Sequence, residues 1–139
     1  DHGLYREAQS AVLDRRPDLQ QGLVPALEVF AQVQSLPEPG LAIVALGKRD
    51  IGHDQLPIVL RRYREAGTPA QPLSVAGWEV TKIMDQHTFV RLSDDAQDVQ
   101  IGDIVAFGAS HPCLTFDKWR QLLLVDDALN VKEHMATCF

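Results

Sequence analysis

Between residues 26 and 34 the apolar side chains fall on every second position: Leu27, Val29, Ala31 and Val33 alternate with Glu28, Phe30, Gln32 and Gln34. Successive side chains of an extended chain point to opposite faces, so this two-residue period predicts a half-buried strand and argues against an amphipathic helix. The habit recurs along the chain. Residues 41–46 are a continuous apolar run of strand length between Gly40 and Gly47, read as a fully buried strand. Residues 58–63 are a further candidate, and residues 77–84 alternate through Trp78 and Val80, a pattern that residues 87–92 continue. Gly102 and Asp103 introduce the run 104–107, and residues 121–125 and 129–135 close the chain around a turn at Asp126 and Asp127. Turn and loop clusters at 37–40, 67–72 and 93–98 separate these segments. About seven short strands with almost no helical periodicity predict an all-β domain, an antiparallel barrel or sandwich.

Residues 1–24 are different in kind. Ala and Leu are scattered there among Arg, Gln and Asp, and Pro17 interrupts the segment. It reads as a connecting arm, with one short helix over residues 5–14, ahead of a β-domain over residues 25–139. The whole chain of 139 residues is the size of one ordinary domain and too short for a two-domain enzyme. A chain that begins at Asp1 without Met is read as processed or as an excised part of something longer. The net charge of -6, with no basic run to neutralise a row of phosphates, excludes nucleic acid as the expected partner. No stretch approaches the roughly 20 apolar residues that span a bilayer, and Asp1 and Arg6 stand where a signal peptide needs apolar residues, so no membrane association is expected. Two cysteines, Cys113 and Cys138, are too few for a disulfide framework, and a reducing cytoplasm is the expected setting.

The residues best suited to chemistry lie in the run 102–117. In an extended segment alternate side chains share a side, and Pro112 disfavours the helical region for His111, so His111 and Cys113 are expected to aim at one point. Imidazole and thiolate are the ligands that Zn²⁺ prefers, and two of them leave positions open, as suits a catalytic ion. The same pair also reads as an incidental His and Cys on a surface loop, and spacing alone does not choose. Asp85, Gln86 and His87 form a second polar cluster. It reads as a hairpin turn, or as a place where His87 faces a cleft as acid, base or extra ligand. Gly47, Lys48, Arg49 and Asp50, running on to His53 and Asp54, lack the spacing of a phosphate loop and read as a charged turn. A nucleophile elbow, a paired C-x-x-C and a dinucleotide fingerprint are all missing from the sequence.

Together, Gly47-Lys-Arg-Asp50, Asp85-Gln-His87, the run from Gly102 to Arg120 around Ser110-His-Pro-Cys113, and Val125-Asp-Asp127 resemble one known family. This is the C-terminal domain of the D-serine dehydratase (D-serine deaminase) and D-threonine aldolase family, fold-type III enzymes related to alanine racemase that use pyridoxal phosphate (PLP). The resemblance spans essentially the whole chain, and the run around His111 is its specific part. It implies a two-domain enzyme in which a PLP-binding barrel, carrying the cofactor lysine, precedes a β-domain like this one. By that resemblance the dehydratases hold Zn²⁺ through a His-x-Cys pair, matching His111 and Cys113, whereas the aldolases place Asp at the second position. Cys113 therefore points to a dehydratase. The implied reaction removes the β-hydroxyl of D-serine to give a keto acid and ammonia, with Zn²⁺ easing the departure and PLP as electron sink. His87 is carried over as a further residue reaching the same site. A small D-amino acid substrate and a homodimer are the implied partners. An aldolase-type lyase and a free-standing, non-catalytic β-barrel binding module are the alternatives. In one place the chain departs from the family pattern: Gln55 stands before Leu56 and Pro57 where a glycine is expected, which leaves the shape of that loop open.

Overall fold

The structure is a computed structural model that describes residues 26–64, 71–96 and 98–138. The arm expected over residues 1–24, residues 67–70 of one loop and Gln97 of the acidic loop lie outside the described residues.

The alternation of β1 (Glu28–Glu38) does what its period predicts. Val29, Ala31 and Val33 are buried while Phe30, Gln32 and Gln34 face out. β1 also runs further than expected, because Pro37 sits where the register with the next strand shifts between Ser35 and Glu38. An irregularity of that kind tolerates a residue with no N–H to give. The turn is then confined to Pro39 and Gly40, and Gly40 takes a φ of 80°, a conformation that favours glycine. β2 (Leu41–Val44) follows. Its apolar run, residues 41–46, is expected to be buried throughout, but only Ala42, Val44 and Leu46 are fully enclosed; Leu41, Ile43 and Ala45 are half-buried.

β3 (Ile58–Tyr63), β4 (Glu79–Ile83), β5 (Thr88–Arg91) and β6 (Ile104–Gly108) complete a six-stranded sheet in the order β3-β6-β1-β2-β5-β4. Every pairing in it is antiparallel. The sheet curls into a half-barrel whose edge strands, β3 and β4, approach each other. The all-β expectation holds, with residues 77–92 forming two strands on either side of the hairpin turn expected at Asp85, Gln86 and His87. In this order β2, β4 and β6 all run the same way, so the chain leaves all three at one end of the half-barrel. The core lies inside the curl, where Val33, Val44, Val90, Val105 and Phe107 are almost wholly enclosed. Burying each such side chain contributes about 1.5–3 kcal/mol.

After β6 comes a one-turn helix, α1 (Cys113–Phe116), and then a separate ribbon of β7 (Gln121–Val125) and β8 (Val131–Ala136). The turn expected at Asp126 is present. Asp126 Oδ1 accepts from the Ala128 and Asn130 amides at 3.0 and 2.9 Å, and Leu129 is held at a φ of 62°. The hydrogen bond from Lys132, with those from Asn130, holds the Asp126 carboxyl far below the usual range. The ribbon leaves Leu123, Leu124, Val125, Val131 and Met135 exposed.

One buried charge cluster closes the opposite end. Arg62 on β3 is 3% exposed; its Nη1 donates to Asp103 Oδ2 at 2.7 Å and its Nη2 to both oxygens of Asp98 at 2.8 and 2.9 Å. Its guanidinium also lies 5.6 Å from the centre of the Trp78 ring. Removing one member of a buried pair leaves the other uncompensated. Asp103→Ala is therefore expected to lower stability by about 3 kcal/mol, read from urea unfolding. The bond from Arg62 also holds the Asp98 carboxyl below its ordinary value of 3.8. A depressed folded-state value means that the stabilisation is complete above the unfolded value and is lost as pH falls through the folded one. Stability measured against pH should thus decline below pH 3.8, and slightly less steeply in Asp98→Asn; the difference is small because Asp98 is 61% exposed.

Candidate functional site

The three exits at one end of the half-barrel carry the three polar motifs. After β2, the turn beginning at Gly47 packs on the β4–β5 hairpin: the Lys48 amide donates to Met84 O at 2.9 Å and the Arg49 amide to Asp85 O at 3.2 Å. A side chain at residue 47 would put its Cβ 2.1 Å from Asp85 O, so this approach requires glycine. The Gly47 amide donates to Asp50 Oδ2 at 2.8 Å, and the Asp50 amide to Gly47 O at 2.9 Å. With these four amides engaged inside the protein, the loop has no nest for a phosphate, as a charged turn should not.

The same loop then turns to the third exit. Ile51 is fully buried and anchors it in the core. The Gly52 amide donates to Thr115 Oγ1 at 2.9 Å, and that hydroxyl donates to His111 O at 3.1 Å, using both capacities of a buried Thr. A Cβ at residue 52 would lie 2.6 Å from His111 O. Ser110 Oγ stands 2.8 Å from Asp54 Oδ1 and 3.2 Å from Gly52 O. Trp119 Nε1 donates to Asp50 O at 2.7 Å, a further tie across the two loops. Gln55 has no left-handed backbone, so this loop does without the conformational freedom of the glycine expected there.

His111 and Cys113 sit on this framework, but not as expected. Pro112 is in the right-handed helical region, φ -56° and ψ -43°, and caps α1, so Cys113 opens a helical turn and is not the alternate residue of an extended strand. Pro suits this position because the first turn of a helix needs no N–H from it. Cys113 is a free, exposed thiol, and the His111 side chain is 42% exposed. His111 Nδ1 lies 3.1 Å from Asp54 Oδ2. The hydrogen bond from Ser110, reinforced by His111, holds the Asp54 carboxyl below its usual value, so the group is an anion at neutral pH. An imidazole and a thiol on one short loop are an N,S donor pair that fits a borderline-soft divalent ion such as Zn²⁺. Among the described residues no group of three or more His, Cys, Asp and Glu gathers to hold a metal. His87 lies exposed beside the hairpin turn, where the Met84 amide donates to its carbonyl at 2.7 Å. That hairpin shares the Gly47 loop with the His111 segment as a neighbour.

Sequence reasoning placed Asp54 in a charged turn and gave no role to Gly52, Ser110 or Thr115. Their partners are 56 to 63 residues away, and no local spacing signals a contact over that separation. A family model described as "Putative serine dehydratase domain" matches residues 26–125. The chain belongs to the serine dehydratase domain family. The family match takes in all three loops of the site and ends with β7. No curated protein matches the chain.

Gly52→Ala should push the His111 backbone away and break the bond to Thr115, at a cost of about 1–3 kcal/mol. Thermal unfolding measures the loss. Trp119, tied to the same loop, should change its emission in the folded state.

Proposed function

We propose that this chain is the metal-bearing β-domain of a PLP-dependent dehydratase that deaminates D-serine, or a related D-3-hydroxy amino acid, to a keto acid and ammonia. The cofactor lysine would belong to a barrel domain outside this sequence, and the working enzyme would be a cytoplasmic homodimer. The observation that carries the reading is the set of ties between the loop after β2 and the 110–119 segment, with the His111 imidazole bonded to Asp54 and the Cys113 thiol open to ligands. When bound, Zn²⁺ supplies Lewis-acid help to a hydroxyl leaving group and PLP supplies an electron sink. Residues of this chain do the positioning. His111 Nε2 and Cys113 Sγ would hold the ion, and the bonds from Gly52 and Thr115 fix the backbone that carries them. A Cys at residue 113, where the aldolases have Asp, favours elimination over retro-aldol cleavage. His87 would stand at the rim of the same site and meet substrate from the hairpin.

In the full-length protein, His111→Ala and Cys113→Ala should each lose D-serine deamination by at least about 100-fold and reduce bound zinc from about one ion per chain. Full activity in both variants overturns the proposal. Release of glycine and an aldehyde in place of keto acid and ammonia assigns the chain to the aldolase branch.

A further inference from the structure

We infer that Asp54 is a positioning residue that selects the tautomer of His111. A neutral imidazole carries one proton, and whichever nitrogen bears it cannot ligate a metal. Asp54 Oδ2 stands 3.1 Å from Nδ1 and, as a carboxylate, can only accept. The pair is satisfied only with the proton on Nδ1, which leaves the lone pair on Nε2. An unconstrained imidazole favours the opposite form.

The carboxylate is itself fixed in rotation. Ser110 Oγ is 2.8 Å from Oδ1 and 3.2 Å from Gly52 O, and its single proton goes to the nearer, charged acceptor. Oδ1 is thereby committed to Ser110 and Oδ2 faces the imidazole. Ser110 is buried, and the two loops are joined again by the Gly52–Thr115–His111 bonds, so Asp54 and His111 are held in register by contacts that do not involve either side chain. Asp54 is thus oriented from one side and orients from the other. The inference rests on the proposed metal reading only for its consequence, that the selected nitrogen meets an ion; the selection itself is a property of the metal-free protein.

The test uses the full-length protein labelled with ring-¹⁵N histidine, stripped of metal, with His111→Gln assigning the signal. Wild type should show the Nδ1–H form. Asp54→Ala should revert to the Nε2–H form, and its zinc affinity, from competition with a chromophoric chelator, should fall about 10–100-fold. Asp54→Asn keeps an oxygen that can face Nδ1, while its amide can donate to Ser110 Oγ and the Ser110 proton turns to Gly52 O. It should retain the Nδ1–H form and lose less affinity than the alanine variant. Asp54→Leu, similar in size but with no acceptor, should also give the Nε2–H form and serves if the alanine variant fails to fold. An unchanged tautomer in Asp54→Ala, or an Nε2–H form in wild type, overturns the inference. A tautomer switch in a protein that binds zinc in no variant upholds the inference and overturns the metal reading.

Discussion

Gly52 can lie against the His111 carbonyl only because it has no side chain, and the geometry of the site depends on that approach. Ile51, next to it, is locked into the core, so the loop after β2 meets the 110–115 segment from a fixed base. Two hydroxyls then join the segments. Thr115 receives from the Gly52 amide and gives to the His111 carbonyl, so a single side chain satisfies two backbone groups that would otherwise be buried unpaired. Ser110 does similar service for Asp54. The strong contacts of the site are therefore made by small residues, and the candidate ligands His111 and Cys113 are passengers on them.

The strand order explains why these loops meet at all. β2 and β6 are both antiparallel to β1, and β4 and β2 are both antiparallel to β5. Three strands with one direction deliver their following loops to one end, however far apart they are in sequence. A sheet of this order places residues 47–54, 84–87 and 110–119 side by side before any side-chain contact is made. The buried Arg62 cluster lies near the other end, where β3 stops and β6 starts. The Arg62 cluster and the candidate site thus lie at opposite ends of the half-barrel, so a change in the cluster leaves the contacts of the site in place.

Much of this fold was legible in the sequence because strands are written in alternation and turns in glycine, proline and aspartate. Val29, Ala31 and Val33 announced β1, and Asp126 announced the β7–β8 turn. The misreadings have physical causes. Pro37 looks like the end of a strand unless the register shift that accommodates it is known, and a shift belongs to two strands and not to one. Residues 111–113 looked extended because proline disfavours helix in the residue before it, but it is also welcome as the first residue of a helical turn, and here the second tendency decides the path of Cys113. His111 and Cys113 could be picked out from their own chemistry. Asp54 could not, since its value lies in a contact 57 residues away.

Exposure decides what kind of help Asp54 can give. Its side chain is 41% exposed and that of His111 42%, so the Coulomb attraction between them is screened by water and is worth little as an ion pair. A hydrogen bond differs from a charge in having a direction, and direction is not screened. The carboxylate accepts at Nδ1 whether the dielectric is high or low, and the proton it claims there is withheld from Nε2. A wet, open site can therefore still present one defined lone pair, provided that the acceptor is held in place by something drier. Ser110, 1% exposed, meets that requirement. The half-barrel thus supplies at its rim what a buried active site would otherwise obtain by excluding solvent, and it does so through a serine in the last residues of a β-strand exit and a glycine that lets two loops touch.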